Sequence, residues 1–434
     1  MPRAAQGAPH RTMPMLLSAV LVLFHSQPLQ AQDAASAFER HVPAVVKLEI
    51  VAQYSRAPRA VGTAFFVEGY GDGILLTNFH VVSPVLFDED KRLRLVLFDG
   101  RTTEDVTILS LDAAHDIAVL RTPEAVPRRL ALQLGRPPPL GTRLFSIGHP
   151  GDLATSVVEG TYNGRVGHSV SPRYHFTGSV NPGMSGGPTV TAAGEVVGIN
   201  VSTAGNQLSF VIPSVLADAL LTEAAAYDSG TPEELAHRLG NRLEIFQRNF
   251  FSAFLRRDVP RVPLGRASVP VGPDESFDCG AQPYDSKDQR YAQVTFRCST
   301  FDQISWPDGG STPFISMEHI YIESDRLNRF QFTSLYSDLF SVVPTWELPE
   351  NEETGDWACR RGNVKTEGGS VARVAFCARA HERLVGLYDA FIRTALLGGD
   401  FAAGVVGTFR VYGVTFDNAV RLYGQLLDGT AWSE

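Results

Sequence analysis

Alternation of apolar and polar residues predicts a β-rich first half of the chain. Residues 62–67 and 73–78 are predicted to be two strands joined by the glycine-rich turn 68–72. Further strands are predicted at 45–51, 117–120, 144–148, 194–201 and 208–212. Helices are predicted at 34–41 and from Pro213 to about Ala225.

The second half begins with a helical pattern. Thr231 and Glu234 form a predicted capping box around Pro232. Apolar residues then recur at helical spacing as far as Phe254. A helix packed on its neighbours is the simplest interpretation of this stripe, and a helix that joins protomers is the alternative, which leaves a homo-oligomer open.

Residues 261–434 are predicted to form an accessory α+β domain of unknown role. Strands are predicted at 291–298, 317–323 and 372–378, and a late helix at 416–427. Neither an internal repeat nor a catalytic constellation is visible there, and the sequence resembles no family that we recognise.

The first 31 residues have the outline of a secretory signal peptide. Arg3 and Arg11 precede the apolar run 15–24, and the polar segment after it offers a cleavage site behind Ala31. An uncleaved membrane anchor is the alternative. Because no later run is long and apolar enough to span a bilayer, we expect no membrane span after cleavage and a periplasmic or secreted protein.

The predicted domains are therefore a signal peptide at 1–31, a first domain at 32–228, a helical connector at 229–260 and the accessory domain at 261–434. The length of 434 residues, with 44% apolar and 20% charged residues, agrees with a folded protein of several domains. The net charge of -9, without basic runs, argues against a nucleic-acid partner.

All four cysteines lie in the second half. Their spacing lacks the paired Cys-x-x-Cys of zinc sites, and an export signal favours disulfides. The preferred pairing is sequential, Cys279 with Cys298 and Cys359 with Cys377, because each pair brackets a hairpin-like stretch. Crossed pairings stay open, since sequence alone does not determine connectivity.

Candidate catalytic groups lie in the first half. Ser185 stands in the glycine-rich segment 181–188, where close glycines let backbone amides aim at one point beside a hydroxyl. His80 follows a predicted buried strand, and Asp116 stands where a polar turn enters another strand. A half-buried carboxylate needs a partner such as an imidazole N–H. His115 is expected to be exposed, and His149 to be a turn residue.

Six short sequence motifs, in the same order, resemble those of chymotrypsin-like serine proteases, specifically the bacterial HtrA/Do branch, over residues 35–225. They are Gly62-Thr63-Ala64-Phe65, Thr77-Asn78-Phe79-His80-Val81, Asp116-Ile117-Ala118-Val119-Leu120, Ile147-Gly148-His149-Pro150-Gly151, Asn181-Pro182-Gly183-Met184-Ser185-Gly186-Gly187-Pro188 and Phe210-Val211-Ile212-Pro213-Ser214. The resemblance implies a mainly β fold: a chymotrypsin-like double six-stranded β-barrel with its active site between barrels, followed here by the helix and the smaller α+β domain with disulfides.

The resemblance also implies roles. Ser185 would be the nucleophile, His80 the base and Asp116 the orienting acid, with an oxyanion hole from the amides of Gly183 and Ser185 and no metal or cofactor. The implied function is an exported serine endopeptidase acting on protein or peptide substrates, with a role in protein quality control open. The alternative is a proteolytically silent binding or sensor protein.

Two residues depart from the family pattern, and one neutral residue bears on specificity. Met184 stands where the HtrA branch usually has asparagine, and Ala64 stands where glycine is usual. Ser179 resembles the residue at the base of the primary substrate pocket. Because Ser179 is neutral, cleavage after small or medium apolar residues is expected.

Overall fold

The computed structural model describes residues 34–53, 55, 57–123, 130–203, 205–284, 290–306, 311–341 and 354–433. The predicted signal peptide at 1–31 lies outside these residues. Residues 34–433 belong to one compact unit, and the fold is mainly β. No helix in the described part of the chain is long and apolar enough to cross a membrane.

The described part of the chain begins with helix α1 (Ala34–His41) and a seven-stranded antiparallel sheet. Its strands lie in the order β5-β4-β1-β2-β3-β7-β6 and do not close into a barrel among the described residues. The first of the two expected six-stranded barrels is therefore an open sheet here, with the two-residue β5 as a seventh strand. The bounds are β1 Val45–Ala52, β2 Pro58–Phe66, β3 Ile74–Thr77, β4 Lys91–Val96, β5 Thr102–Thr103, β6 Thr107–Asp112 and β7 Ile117–Arg121. The short helix α2 (Phe79–Val82) follows β3 and carries His80.

The next six strands form a closed barrel, as the resemblance implies. Its order is β10-β13-β12-β11-β8-β9. The bounds are β8 Arg143–Gly148, β9 Ser156–Arg165, β10 Tyr174–Phe176, β11 Pro188–Thr191, β12 Val196–Thr203 and β13 Ser209–Pro213. The segment with Ser185 connects β10 to β11, so this barrel presents the serine while the first sheet presents His80 and Asp116.

Two helices follow the barrel along the chain. Helix α3 (Ala217–Ala224) packs on the first sheet. Helix α4 (Pro232–Phe254) begins with the predicted capping box, in which the Thr231 hydroxyl accepts from Glu234 N–H and the Glu234 carboxylate accepts from Thr231 N–H. This reciprocal bonding satisfies two amides that a helix start otherwise leaves unpaired.

The apolar stripe of α4 is covered within the chain. Leu235, Leu239 and Leu243 join a core cluster that includes both the first sheet and the C-terminal half. Polar bonds follow the same path: Arg238 donates to the Leu109 carbonyl of β6 at 3.2 Å. At the other end, Gln247 donates to the carbonyl of Tyr412 in the C-terminal half at 3.3 Å. Helix α4 therefore connects the two halves by packing rather than as a free linker.

The C-terminal half is built on a second seven-stranded antiparallel sheet, in the order β16-β17-β20-β24-β23-β22-β21. Its bounds are β16 Phe277–Tyr284, β17 Ala292–Thr300, β20 Ile315–Glu323, β21 Ala358–Lys365, β22 Val371–Ala380, β23 Leu387–Leu396 and β24 Ala403–Thr415. Smaller pieces complete it: β14 Arg261–Leu264, β15 Ala267–Pro270, β18 Gln303–Ser305, β19 Ser311–Pro313, β25 Ala431–Trp432, α5 Arg329–Ser341 and α6 Phe416–Asp428.

Both disulfides join neighbouring strands at the edges of this sheet. Cys279 of β16 is bonded to Cys298 of β17, and Cys359 of β21 to Cys377 of β22. This is the sequential pairing. Each bond therefore ties an edge strand, whose outer backbone groups have no partner strand among the described residues, to its neighbour.

Candidate active site

His80 and Asp116 form a close pair. Asp116 is the last residue of the turn between β6 and β7, and its backbone has a left-handed φ of 61°, which aspartate tolerates better than most residues. One carboxylate oxygen accepts from His80 Nδ1 at 2.7 Å, and the other accepts from the His80 backbone N–H at 2.8 Å. Asn78 donates to the Asp116 carbonyl at 2.9 Å. The pair is therefore held from the backbone as well as the side chains.

The bonding determines which ring nitrogen of His80 is available. A carboxylate only accepts hydrogen bonds, so Nδ1 carries the proton and Nε2 presents a lone pair. Burial lowers the pKa of His80, but the charge of Asp116 and the hydrogen bond to it outweigh burial and raise the pKa overall. The His80 side chain is 34% exposed, so the imidazole is accessible as a base.

Ser185 lies in a turn that is docked on the first sheet. The Thr63 N–H of β2 donates to the Ser185 carbonyl at 2.8 Å. A side chain at Gly186 would collide with the Thr63 carbonyl and the Thr77 hydroxyl, each 2.2 Å from a Cβ there. The serine is therefore held against the end of β3, the strand that leads into His80.

The Ser185 hydroxyl points to a different partner. Its Oγ donates to the Val201 carbonyl of β12 at 3.3 Å. In the described structure no hydrogen bond joins Ser185 to His80. Catalytic hydrogen bonds are often long or misaligned without substrate and tighten when it binds.

Two backbone amides beside Ser185 are left without a partner. The Pro182 carbonyl accepts from Gly151 N–H at 2.8 Å, and the Met184 carbonyl accepts from Gly187 N–H at 3.1 Å. Since a trans peptide directs its N–H away from its C=O, these bonds turn the amides of Gly183 and Ser185 to the opposite side. Neither amide makes a hydrogen bond within the described residues. Both are therefore available to an incoming acceptor.

The turn that presents these amides follows from its sequence. Met184 N–H donates to the Asn181 carbonyl at 3.0 Å, which closes a four-residue turn with Pro182 and Gly183 at its centre. Gly183 has φ 94°, and a Cβ there would lie 2.3 Å from the His149 carbonyl. Proline at the first central position and glycine at the second are the residues such a turn requires.

Thr63 and His149 brace this turn, a role that the sequence did not reveal. The Thr63 hydroxyl donates to the Gly183 carbonyl at 2.8 Å. Its oxygen accepts from His149 at the backbone N–H and at Nδ1, each at 3.2 Å. Burial and the charge of Lys47 lower the pKa of His149 to about 4, so the ring is neutral near pH 7. His149 lies in a turn, as expected, but it is buried.

Met184 is an apolar anchor for the serine segment. It is fully buried in the barrel, in a cluster with Leu144, Phe176, Val180 and Val211. The position that the HtrA branch usually gives to asparagine is therefore held here by packing in the core. Ala64, the second departure, is also fully buried and belongs to the core of the first sheet.

Three further predictions concern Ser179, His115 and the cysteines. Ser179 is exposed, and its carbonyl accepts from Asn181. His115 is bonded to Asp112 at 2.9 Å and is only partly exposed, so its expected exposure is an overestimate. The four cysteines are structural. In the described ranges no group of three or more His, Cys, Asp or Glu side chains could hold a metal ion.

A His–Asp pair on one β unit and a serine turn with two free amides on the next are the arrangement of chymotrypsin-like serine peptidases. The family model of the trypsin-like peptidase domain matches residues 62–199. This part of the chain is a trypsin-like peptidase domain.

Curated relatives carry HtrA and DegP names. Serine protease HTRA1 of Xenopus tropicalis is 34% identical over 268 residues, which cover 55% of this chain and 56% of the relative. Serine protease HTRA2, mitochondrial, of Bos taurus is 32% identical and covers 47% and 46%, respectively. The probable periplasmic serine endoprotease DegP-like of Rhizobium meliloti is 32% identical over 37% of this chain and 32% of its own.

The chain spans about half the length of the first two of these relatives. Among solved structures, the serine endoprotease from Yersinia pestis aligns with 45% of this chain and 67% of its own, at 25% identity and a TM-score of 0.37.

Proposed function

We propose that this protein is a serine endopeptidase in which Ser185 is the nucleophile, His80 the general base and Asp116 the group that orients His80. The observation that carries the proposal is the combination of the His80–Asp116 pair with the turn at Ser185. The pair leaves Nε2 free for a proton, and the turn leaves two amides free for an oxyanion.

The proposed reaction proceeds through an acyl-enzyme. Ser185 Oγ attacks the carbonyl carbon of a peptide bond while His80 Nε2 takes the hydroxyl proton. When the tetrahedral intermediate collapses, the proton passes to the departing amine and Ser185 remains as an ester. Water, activated by the same imidazole, then hydrolyses the ester and restores the hydroxyl.

The amides of Gly183 and Ser185 are proposed to bind the developing oxyanion. The carbonyl groups of the same two peptides, at Pro182 and Met184, are hydrogen-bonded on the opposite side and hold the peptide planes in place. Little reorganisation is therefore needed when charge develops. Loss of one such donor costs about 100-fold to 1,000-fold in rate in comparable enzymes.

Turning the Ser185 hydroxyl is the step that this proposal requires. Its bond to the Val201 carbonyl must be exchanged for one to His80 Nε2, by rotation about the Cα–Cβ bond. The same bond supports the rival function, a proteolytically silent binding protein that keeps the barrel for recognition.

The finer parts of the proposal concern substrate and compartment. We propose protein substrates cleaved after small or medium apolar residues, with Ser179 at the pocket base, and an exported protein, processed after Ala31, with a role in quality control open. Two disulfides support an oxidising compartment. A homo-oligomer and the division at 228 and 260 stay predictions.

Hydrolysis of unfolded casein by the purified protein tests the function against its rival. The wild type should cleave casein, and Ser185→Ala should reduce turnover by about 10⁶-fold. The Ser185→Ala protein should keep the wild-type circular dichroism and melting temperature. A folded wild type that never cleaves casein or a peptide library favours the silent binding protein.

A further inference from the structure

One loop of the peptidase barrel is bonded to the C-terminal half. This loop, residues 166–173 between β9 and β10, is called the barrel loop below. Its Ser171 N–H donates to an Asp302 carboxylate oxygen at 2.8 Å, and Ser169 Oγ lies 2.8 and 2.9 Å from the two oxygens. Asp302 is 7% exposed, so these bonds are shielded from water.

Asp302 is placed by the turn between β17 and β18. Phe301, the preceding residue, packs edge-on against Phe210 of β13, with ring centroids 5.6 Å apart. The Phe301 N–H donates to the Ser276 carbonyl at 2.9 Å. Asp302 is therefore held beside the barrel loop by contacts on both sides of the boundary between the two halves.

The barrel loop ends at Arg173, which is buried beside the residue before Asp116. Its guanidinium donates to Ser171 Oγ at 3.1 Å, to the Pro172 carbonyl at 3.2 Å and to the His115 carbonyl at 3.4 Å. No carboxylate of the described residues forms a direct ion pair with Arg173. A buried cation in such a place needs compensating charge nearby.

Three carboxylates supply that charge. Burial lowers the pKa of Arg173, and Asp302, Asp116 and Asp112 oppose this in that order. Arg173 in turn lowers the pKa of His80 by its charge, against the effect of Asp116. Among the described residues, Asp116 and Arg173 are the charged groups that act on the pKa of His80. The guanidinium is thus under the charge of both Asp302 and Asp116.

We propose that Asp302 is a positioning residue for the His80–Asp116 pair, contributed by the C-terminal half and acting through the guanidinium of Arg173. The inference rests on the proposed peptidase function. With Asp302 in place, Arg173 is drawn away from Asp116, and Asp116 is left to His80. Without that charge, Arg173 is drawn toward Asp116 and competes with His80 for the same oxygens.

Titration of His80 tests the proposal without requiring activity. NMR spectra of the Ser185→Ala protein, recorded against pH, follow the imidazole and its proton shared with Asp116. Adding Asp302→Asn should lower the pKa of His80, because Arg173 then acts on the pair more strongly. Adding Arg173→Met should raise it, because the opposing cation is removed. Two shifts of opposite sign are not expected from a general loosening of the fold.

Ser169→Ala is the matched control. It removes one hydrogen bond to Asp302 and keeps the carboxylate and its bond to Ser171, so the titration of His80 should not move. If Arg173→Met does not fold, the Asp302→Asn and Ser169→Ala pair decides. An unchanged His80 titration in folded Asp302→Asn overturns the proposal.

Kinetics separate this proposal from the proposed function. In the protein with Ser185 intact, Asp302→Asn should lower kcat by about 10-fold to 100-fold with little change in KM, as a small misplacement of catalytic groups does. Asp302→Glu keeps the negative charge, so its kcat should lie between those of Asp302→Asn and the wild type. A wild type without activity contradicts the peptidase function, while the His80 titration still decides whether Asp302 positions the pair.

Discussion

Two histidine–aspartate pairs with hydrogen bonds of similar length lie in the two halves of this molecule. In the peptidase domain, His80 Nδ1 lies 2.7 Å from an Asp116 carboxylate oxygen. In the C-terminal sheet, His381 Nε2 lies 2.9 Å from an Asp389 carboxylate oxygen. Their surroundings differ: the His80 side chain is 34% exposed, whereas that of His381 is 2% exposed.

The carboxylate of the C-terminal pair has several other donors. Asp389 also accepts from Arg379 at 3.1 and 3.0 Å and from Gly413 N–H at 3.2 Å. His381 is stacked on Trp306 with ring centroids 4.9 Å apart. In the described part of the chain, by contrast, His80 is the only side chain that donates a hydrogen bond to the Asp116 carboxylate. A His–Asp pair can therefore act as a base only where the imidazole keeps a free nitrogen that substrate can reach.

Replacing each histidine by alanine should separate the two pairs most widely. His80→Ala removes the proposed base and should lower kcat by about 10⁶-fold, with the fold retained. His381→Ala should leave kcat of the folded protein near the wild-type value. Peptide hydrolysis by both variants, normalised to folded protein, is the measurement. A folded but inactive His381→Ala protein would break the comparison.

The aspartates give the next largest contrast in rate. Asp116→Asn keeps the shape but favours the wrong tautomer of His80, and kcat should fall by about 10⁴-fold. Asp389→Asn lies in the other half and should not affect kcat. Rates below pH 8 on one fluorogenic peptide compare them. Equal losses in both variants would show that the effect is on folding.

Stability should show the reverse order. Asp389→Asn leaves the buried Arg379 without its carboxylate, so the free energy of unfolding should fall by about 3–5 kcal/mol. Asp116→Asn should cost less, because its histidine partner is partly exposed. Urea unfolding followed by circular dichroism measures both. The ranking is wrong if Asp116→Asn is the more destabilising change.

The pH dependence should also divide the pairs. Since Asp116 raises the pKa of His80 above 6.5, activity should fall as pH drops through that raised value, and the charged pair itself stabilises the fold below it. The pKa of Asp389 is lowered: burial raises it, but the hydrogen bond and charge of His381 and the charge of Arg379 outweigh burial. Its contribution is present above pH 3.8 and is lost as pH falls through the lowered value.

Near pH 6 the protein should therefore be folded and weakly active, and activity should return as the pH rises through the raised pKa of His80. His149 and His319, both with a pKa of about 4, weaken the fold as pH falls from 6.5 toward that value. Rates and circular dichroism measured on one sample series check this. Activity that falls only together with the circular dichroism signal would contradict it.

The smallest effect on stability and activity is expected from a conservative substitution of Met184. Met184→Leu conserves the volume of an apolar anchor and should cost less than about 1.5 kcal/mol, with activity retained. Met184→Asp is the contrast, because it places an unpaired carboxylate in the barrel core and should abolish the folded turn. Thermal melts and hydrolysis rates of the two variants decide. An active, stable Met184→Asp protein would contradict the apolar anchoring of Ser185.

Much of the peptidase half could be predicted from the sequence because local patterns determine it. Strand alternation located β2, β3 and β7, and the turn chemistry of Pro182 and Gly183 explains the conformation beside Ser185. The helix start at Thr231 followed from its capping box. The sequential disulfide pairing was only the preferred one among those that the sequence left open, and the position of both bonds at the sheet edges gave no signal.

Long-range contacts could not be predicted in the same way. Asp302 lies 133 residues from Ser169 in sequence, and no periodicity or motif connects them. The burial of His149 and its bond to Thr63 depend on how two β units meet. The His381–Asp389 pair gave no signal in the sequence either, because Arg379 and Trp306 acquire their roles only in the folded sheet.

The central claim is that the pair beside Ser185 activates that serine. Mass spectrometry of the purified protein after treatment with a fluorophosphonate tests it most directly. We expect one adduct per chain on Ser185, lost in Ser185→Ala, slowed strongly in His80→Ala and unchanged in His381→Ala. A folded wild-type protein that forms no adduct on Ser185 would contradict the claim.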